Sequence, residues 1–303
     1  MTKNIFLPEI EYNKCAPSKT FSDGSCFDLQ SLTKIANAYN NYTKNDKILI
    51  TNSKKNLVKQ LIDKIKDCGD DQLCWLDKKW IKDLGDEEIN NNTFRPKGPQ
   101  GRFKWLSTTD INSVIEQYEN KYKEFKFLGA VPIDFDKLDQ LNINSLNFDN
   151  LVNENITKIG IVFNLDEHWD KGSHWVSMYS DLKNDKIYYF DSASGQPKDE
   201  IAELVKRIAL WCYKRHKLNI KKNNDINIDT ESKFMRGMNN KYEKMMDIRF
   251  NDKRHQFKNS ECGVYSINFI LRLLKGESFD DICNNVTRDD KMNECRKTYF
   301  RFK

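Results

Sequence analysis

Residues 174–192 read HWVSMYSDLKNDKIYYFDS, in which two runs rich in β-branched and aromatic residues flank a polar segment. Such runs predict two antiparallel strands, His174–Ser180 and Lys186–Asp191, joined by a hairpin turn. In the expected pairing, His174 at the start of the first strand lies near Asp191 at the end of the second. A shift of one residue in the register would turn every side chain of a strand to the opposite face. The sequence therefore does not decide on which face of the sheet His174 and Asp191 lie.

The chain on either side of this hairpin predicts an α+β fold. A strand at Lys158–Leu165 precedes it, an amphipathic helix at Pro197–Lys214 follows it, and a short strand is predicted at Asp247–Asn251. Cys262–Lys275 is apolar around most of its circumference, which is typical of a helix buried at the centre of a domain. Roughly the first 130 residues show mostly helical spacing. Helices, then a small sheet, then helices are therefore expected.

The overall composition is that of a polar globular chain. It has 303 residues, 38% hydrophobic and 31% charged, and a net charge of +5, which is too small to indicate a dedicated nucleic-acid binder. No apolar run approaches the roughly 18–20 residues of a membrane span, and Met1–Glu9 lacks the apolar stretch of a secretory signal. We therefore expect neither secretion nor membrane insertion. The Asn-, Lys- and Asp-rich run Lys221–Asp229 indicates a solvated loop.

The cysteines do not suggest a disulfide scaffold. Eight in 303 residues are too sparse, and without a secretion signal they indicate a reducing compartment. Cys68 and Cys74 lie six residues apart, which does not match the usual spacing of zinc ligands. Most of the cysteines are therefore expected to be small reduced core residues, and no metal site is predicted.

One cysteine differs from the rest because it opens the buried helix, in the sequence Ser260-Glu261-Cys262-Gly263. A helix N-terminus carries partial positive charge, which favours the thiolate of Cys262, the nucleophilic form. Gly263 lacks a side chain and would let a substrate approach the backbone. A buried structural cysteine is the alternative, and on these residues alone it is the more common one.

A cysteine nucleophile needs a base, and the chain has four histidines. His174 opens a predicted strand and is the best candidate. His168 lies in a predicted loop, although both histidines precede a tryptophan. His216 follows a charged helix end, and His255 lies in a basic loop.

Two further residues complete a candidate site for acyl transfer. Asp191 could orient the imidazole of His174, although a lone aspartate at this position could equally cap the following turn. Gln256 lies six residues before Cys262 and could donate its amide to an oxyanion. The backbone N–H of Cys262 would be the second donor.

These residues together resemble the ubiquitin-like-protein protease family, which includes the SUMO-deconjugating cysteine peptidases, adenovirus protease and the capsid-maturation proteases of large DNA viruses. The order and both spacings match in the set His174-Trp175, Phe190-Asp191-Ser192 and Gln256-x5-Cys262-Gly263. Upstream, Trp105-Leu106 is similar to the Trp-Leu segment that opens the family's domain.

The resemblance implies a papain-like cysteine protease superfold of the ubiquitin-like-protease type, with a small central mixed sheet flanked by helices. It implies a catalytic domain at 101–303 and leaves 1–100 as a mostly helical N-terminal extension. It also implies a His-Asp-Cys triad with a glutamine oxyanion donor, at the residues named above, which works without a metal or organic cofactor. Trp105 and Trp175 match two family tryptophans that form a narrow channel for Gly-Gly. Without the resemblance, both would be interpreted as core residues.

The implied activity is that of a cysteine endopeptidase that cleaves after small residues, above all glycine. Precursors of viral structural proteins are the favoured substrates. The excess of Lys, Asn, Ile and Asp suggests an AT-rich genome, and the sequences around Cys26 and Arg95 resemble the N-terminal regions of giant-virus members of the family. Removal of ubiquitin-like modifiers by isopeptidase action is the alternative. An acetyltransferase on the same fold and an inactive virion structural protein are less favoured. The expected partner is thus a protein substrate, without a membrane or specific nucleic acid, in the virion and host cytoplasm.

Overall fold

The computed structural model describes residues 14–220 and 246–302, so the predicted loop at Lys221–Asp229 lies outside the described residues. The chain divides into two compact units, Met1–Gly98 with Arg296–Lys303 and Pro99–Cys295. The sequence predicts an N-terminal extension at 1–100 and a catalytic domain at 101–303. The functions assigned to these two parts stay predictions.

The first unit is helical, as the spacing of its apolar residues indicates. Its helices are α1 (Leu29–Tyr42), α2 (Lys54–Lys64), α3 (Gln72–Trp75), α4 (Lys79–Lys82), α5 (Glu87–Asn90) and, from the end of the chain, α12 (Arg296–Tyr299). Side-chain caps begin the two longest of these, since Asp28 accepts a hydrogen bond from the Ser31 N–H and Ser53 accepts one from the Asn56 N–H. Phe27, Leu32 and other apolar residues of this unit form its own buried cluster.

Two disulfides in this unit overturn the expectation that most cysteines are reduced. Cys15 is bonded to Cys26 and Cys68 to Cys74. Sequence spacing could not reveal the first pair, because Cys15 is positioned by a bridge to Phe94 from the far end of the unit. Cys212, Cys262, Cys283 and Cys295 are buried and free. The inference of a reducing compartment therefore loses the support that it took from the cysteines.

The second unit contains a five-stranded mixed sheet in which the strands follow one another in chain order. The strands are β1 (Phe125–Val131), β2 (Lys158–Asn164), β3 (Trp175–Asp181), β4 (Lys186–Phe190) and β5 (Asp247–Phe250). The central pairs β2–β3 and β3–β4 are antiparallel, whereas β1–β2 and β4–β5 are parallel. Antiparallel pairs can be joined by short turns, but parallel pairs require longer crossovers, which here contain helices.

The helices of the second unit lie between and after these strands. They are α6 (Thr108–Ile115), α7 (Phe148–Asn153), α8 (Asp199–Ile220), α9 (Cys262–Leu274), α10 (Phe279–Asn284) and α11 (Asp289–Glu294), with short 3-10 helices at Glu116–Tyr118, Phe135–Lys137 and Asp139–Leu141. Apolar residues of α8 share one buried cluster with residues of β2, β3 and β4. Helix α9 packs on β3, and every one of its residues is buried, as its sequence predicts.

The hairpin register is one residue away from the expected pairing. Asp181 pairs with Lys186 as the last rung of the ladder. The Asp181 carboxylate accepts hydrogen bonds from the backbone N–H groups of Lys183 and Asn184, which stabilises a turn that starts one residue later than predicted. His174 therefore lies immediately before β3, and Asp191 lies immediately after β4.

The described part of the chain has neither a candidate membrane span nor a candidate metal cluster. None of its helices combines the length and the apolar character that a membrane crossing needs. Across the same ranges, no group of three or more histidine, cysteine or acidic side chains is arranged to hold a metal ion.

Candidate active site

The hairpin brings His174 and Asp191 together at the end of the sheet. The Nε2 atom of His174 lies 2.6 Å from Oδ1 of Asp191, and the side chains are 20% and 5% exposed. Asp191 also accepts hydrogen bonds from the backbone N–H groups of Ala193 (2.7 Å) and Gly195 (2.9 Å). A Cβ at position 195 would stand 2.5 Å from Oδ2 of Asp191, so this close approach requires glycine.

Asn251 holds the backbone of Asp191, and sequence reasoning did not find it. Its Oδ1 accepts a hydrogen bond from the Asp191 N–H (2.8 Å), and its Nδ2 donates to the Asp191 carbonyl (2.7 Å). Asn251 directly follows β5 and is 1% exposed. A buried asparagine at a strand end is a recognisable signal, but its partner depends on the parallel pairing of β4 with β5.

Cys262 is the first residue of α9 and is 3% exposed. Its sulfur lies close enough to His174 to act on that imidazole and raise its pKa. Because Nε2 of His174 is engaged with Asp191, Nδ1 is the ring nitrogen left for the sulfur. The structure thus aligns a thiol, an imidazole and a carboxylate in the order that acyl transfer requires.

The electrostatics of His174 favour its charged form. Burial lowers the pKa of His174, but the hydrogen bonds and charges of Asp191 and Cys262 outweigh it and raise that pKa to about 9. At neutral pH the imidazole therefore holds its proton beside the sulfur. A protonated imidazole stabilises a thiolate, which is the reactive form of cysteine.

Gln256 lies in the same network, one step from Asp191. Its backbone N–H donates to the Ser192 carbonyl (2.8 Å), and its Oε1 accepts a hydrogen bond from the Ser192 hydroxyl (2.7 Å). Its Nε2 donates to the Lys258 carbonyl (2.6 Å). An amide nitrogen has two hydrogens, so one donor remains after this bond.

Glu261 is a buried carboxylate next to the candidate nucleophile that sequence reasoning did not single out. It is 1% exposed and precedes α9. Its Oε1 accepts hydrogen bonds from the Ser260 hydroxyl and from Nδ2 of Asn293, both at 2.8 Å. These bonds fix the backbone from which the helix of Cys262 starts.

Trp105 and Trp175 both line one cleft of about 420 Å³. Trp105 is 45% exposed, whereas Trp175 is 6% exposed. The Trp175 indole N–H donates to the Leu106 carbonyl (2.9 Å), so it is not a spare donor for an oxyanion. Trp175, which forms part of the cleft wall, directly follows His174 in sequence.

Gly263 has a packing partner where substrate access was expected. A Cβ on Gly263 would lie 3.1 Å from the Cβ of Leu106 and 3.4 Å from Cδ1 of Ile111. The absence of a side chain therefore lets α9 approach the segment that carries Leu106. This packing gives Gly263 a structural role, and its part in substrate binding stays a prediction.

The two other histidines whose side chains are described, His168 and His255, have partners other than the thiol. Nδ1 of His168 lies 2.6 Å from Oδ2 of Asp134, and its side chain is 47% exposed on the wall of the cleft. His255 is buried, with Nε2 3.2 Å from the Cys283 carbonyl, and burial lowers its pKa. The side chain of His216 lies outside the described residues.

The sequence is similar to known proteases. Residues 152–301 match the model of the Ulp1 protease family, C-terminal catalytic domain. The chain is 36% identical over 308 residues to a protein of Acanthamoeba polyphaga mimivirus named as a putative thiol protease, over 95% of this chain and 93% of that one. It is 23% identical to a SUMO-1 cysteine protease of African swine fever virus, over 69% of this chain and 72% of that relative.

The fold is similar to that of a solved protease. The crystal structure of the African swine fever virus protease matches with a TM-score of 0.60, at 18% identity, over 96% of both chains. At this identity the likeness bears on the fold alone. It confirms the predicted arrangement of a mixed sheet with flanking helices and a helical N-terminal region.

Proposed function

Because the chain belongs to the Ulp1 protease family and is a cysteine protease, we propose that Cys262 is its nucleophile and that His174 and Asp191 complete the triad. The observation that carries this proposal is that His174 is hydrogen-bonded to the buried Asp191 while the sulfur of Cys262 acts on the same imidazole and raises its pKa. The family match spans all three residues.

In the proposed reaction, the Cys262 thiolate attacks the carbonyl carbon of the scissile bond and forms a carbon–sulfur bond. When the tetrahedral intermediate collapses, the carbon–nitrogen bond breaks and the protonated His174 gives its proton to the leaving amine. Water then adds to the thioester while His174 takes a proton from it. Release of the carboxylic acid restores the thiolate, and Asp191 holds the imidazole orientation throughout.

We assign the remaining N–H of the Gln256 amide to the oxyanion, together with the backbone N–H of Cys262. The bonds from Ser192 and to the Lys258 carbonyl support this role, because they fix the amide plane before substrate binds. A preorganised donor needs no reorientation as charge develops on the oxygen. Removing such a donor costs roughly 10²–10³-fold in kcat in serine proteases.

The cleft between Trp105 and Trp175 is the proposed binding site for the residues that precede the scissile bond. One of its aromatic walls, Trp175, directly follows His174 in sequence, and the cleft would accept an extended chain without bulky side chains. This favours cleavage after glycine, in which the missing Cβ permits the closest approach of a backbone.

Precursors of viral structural proteins are the proposed substrates. The similarity to proteins of two large viruses along most of the chain supports this choice. Removal of ubiquitin-like modifiers is the second candidate, because one of those relatives is named as a SUMO-1 cysteine protease. Both reactions use the same site and differ in whether a peptide or an isopeptide bond is cleaved.

The test is cleavage of two substrate sets by the full chain and by a Cys262→Ala variant. One set is a library of linear peptides with Gly-Gly, Gly-Ala and Ala-Ala at the cleavage position, and the other is ubiquitin-like modifiers carrying a C-terminal fluorophore. We expect the wild type to cleave linear peptides after glycine and the variant to cleave nothing. Cleavage of the modifiers alone would favour the second candidate, and turnover by Cys262→Ala would contradict the assigned nucleophile.

A further inference from the structure

The loop that follows Gln256 displays an exposed aromatic ring between two arginines. Phe257 is 53% exposed. The guanidinium carbon of Arg254 lies 5.1 Å from the centre of its ring, and that of Arg288 lies 4.3 Å from it. Both arginines are exposed. We call these three residues the Arg–Phe–Arg patch.

Among the described residues, the two positive charges of this patch have no counterion. Within 14–220 and 246–302, neither Arg254 nor Arg288 forms an ion pair. Two other cations of this unit are neutralised, since Lys258 lies 2.6 Å from Asp290 and Arg249 pairs with Asp247 and Asp280.

The nearest carboxylate in sequence is committed elsewhere. Asp289 directly follows Arg288, yet its Oδ2 accepts hydrogen bonds from the backbone N–H groups of Phe257 (2.9 Å) and Lys258 (3.2 Å). The same carboxylate is 3.5 Å from the Tyr265 hydroxyl, and Asp289 is 6% exposed. It therefore shapes the loop, and the guanidinium groups keep their outward N–H donors.

This patch is built onto the candidate active site. The Nε atom of Arg254 donates to the Gln256 carbonyl (2.6 Å), and the Gln256 N–H donates to the Ser192 carbonyl next to Asp191. An extended chain advances about 3.3 Å per residue. A polypeptide whose scissile carbonyl lies at Gln256 would thus reach Phe257 within a few residues.

We propose that the Arg–Phe–Arg patch binds acidic side chains of the protein substrate within a few residues of the scissile bond. The inference rests on the proposed function, because it places the scissile carbonyl at Gln256. Guanidinium groups match carboxylates through paired N–H donors, and stacking on Phe257 restricts both arginines before a ligand arrives. A carboxylate from the substrate would also relieve the repulsion between two like charges.

The chemistry favours an acidic polypeptide over a nucleic acid. Nucleic-acid binding is typically supported by a stripe of basic residues that follows several phosphates. The patch offers two guanidinium groups, Lys258 beside it is already paired, and the chain carries a net charge of only +5. Two guanidinium groups are enough to bind one or two carboxylates.

The test compares peptides that share one glycine cleavage sequence and carry either glutamate or glutamine on each side of it. We expect the wild type to prefer the glutamate peptide by about three- to tenfold in kcat/KM, through a lower KM, as for exposed charge pairs. Arg288→Ala should remove this preference and leave the glutamine peptide unchanged. Arg288→Glu should reverse it in favour of lysine-flanked peptides.

Arg249→Ala is the matched control, because Arg249 also lies over an aromatic ring, 5.9 Å from the centre of Phe279, but is neutralised by carboxylates. It should keep the preference for glutamate. Equal losses by Arg288→Ala on both peptides would overturn the proposal, since they would indicate support of the loop. An unchanged preference would overturn it as well, since the arginines would then only cover Phe257.

Binding of the same peptides to the Cys262→Ala protein, measured by fluorescence anisotropy, separates this inference from the proposed function. Tighter binding of the glutamate peptide in the absence of any wild-type turnover would support the patch and contradict the triad. Equal binding of both peptides would overturn the patch whatever the turnover. Displacement of the glutamate peptide by short single-stranded DNA but not by polyglutamate would overturn it in favour of a nucleic acid.

Discussion

The chain presents the dipeptide His-Trp twice, at 168–169 and 174–175, and each histidine has a buried aspartate partner. In both pairs the ring nitrogen and the carboxylate oxygen are 2.6 Å apart. His174 uses Nε2 towards Asp191, whereas His168 uses Nδ1 towards Asp134. Only His174 also contacts a thiol. A histidine–carboxylate pair is therefore not by itself the sign of a catalytic base.

The two aspartates explain why the pairs differ. Asp134 accepts both the ring and the backbone N–H (3.0 Å) of His168, so this carboxylate ties down a loop at two points. Asp191 is anchored instead by Ala193 and Gly195, and it contacts His174 only through the ring. Each histidine keeps one further ring nitrogen, but only that of His174 has a thiol beside it, whereas the Asp134 pair ties down a segment of loop.

The largest effect is expected from removing the atom that distinguishes the two pairs. Cys262→Ala should lower kcat by roughly 10⁴-fold or more, because neither histidine pair can form the thioester. Single-turnover cleavage of a glycine peptide measures this loss. Cys283→Ala, which also removes a buried free thiol, should retain activity. Comparable losses in the two variants would mean that thiol burial, and not nucleophilic attack, explains the first result.

Replacing each of the two histidines by alanine tests the comparison between the two pairs directly. His174→Ala should lower kcat by roughly 10³-fold or more, as expected when the base of a triad is removed. His168→Ala should leave kcat within about twofold, since this ring lies on the cleft wall without a thiol, and any effect should fall on KM. Steady-state kinetics of both variants decide between them. Equal losses of kcat would contradict the choice of His174.

Replacing the two aspartates should give the next largest difference in activity. Asp191→Asn should lower kcat by about 10²-fold, less than the about 10⁴-fold loss of serine triads, because a thiol is an intrinsically better nucleophile than a hydroxyl and depends less on its base. Asp134→Asn should leave kcat unchanged and lower the thermal midpoint, because a buried carboxylate that ties a loop is weakened. Kinetics and thermal unfolding of both variants provide the measurement. Wild-type turnover in Asp191→Asn would remove this residue from the site.

The raised pKa of His174 predicts the basic limb of the pH profile. Activity should fall about tenfold per pH unit above a pH of about 9, where the imidazole loses its proton. Asp191→Asn should move this limb to lower pH, and Asp134→Asn should leave it in place. Because folding raises the pKa of His174, this residue also adds to the free energy of unfolding. Its contribution is complete below about pH 6.5 and is lost as the pH rises through about 9. If Asp191→Asn left the basic limb of the pH profile at the same pH, the coupling between Asp191 and the pKa of His174 would be contradicted.

Local sequence patterns were sufficient for the elements that carry the site. The all-round apolar run from Cys262 predicted a buried helix, and the β-branched runs after His174 predicted a hairpin, because helices and strands impose different periods on their side chains. The chain order of His174, Asp191 and Cys262 is a matter of sequence alone. These features require no knowledge of distant contacts.

Contacts between distant segments were not predictable in the same way. The predicted hairpin register was wrong by one residue. Asp181 both ends a strand and caps the turn, and no periodicity distinguishes these two roles. Asp134 and His168 are 34 residues apart, and Asn251 and Asp191 are 60 apart. The disulfide between Cys15 and Cys26 depends on how the loop folds back. Such pairings follow from tertiary packing, which a single sequence does not display.

The smallest effects should come from the tryptophans that follow the two histidines. Trp175 is buried and donates its indole N–H to the Leu106 carbonyl, whereas Trp169 is 65% exposed and meets the His168 ring edge-on, 4.5 Å away. Trp175→Phe keeps an aromatic wall but leaves that carbonyl without its donor. A buried unpaired carbonyl costs about 1–3 kcal/mol in stability.

We expect Trp175→Phe to lower kcat/KM by only about three- to tenfold, because Leu106 packs against Gly263 beside the nucleophile and shifts slightly when its carbonyl is released. Trp169→Phe should change neither kcat/KM nor stability measurably, since an exposed ring with one edge contact contributes little. Peptide kinetics and chemical denaturation of both variants test this. A greater loss in Trp169→Phe would mean that the His168 pair, with its exposed tryptophan, contacts the substrate more closely than the wall formed by Trp175.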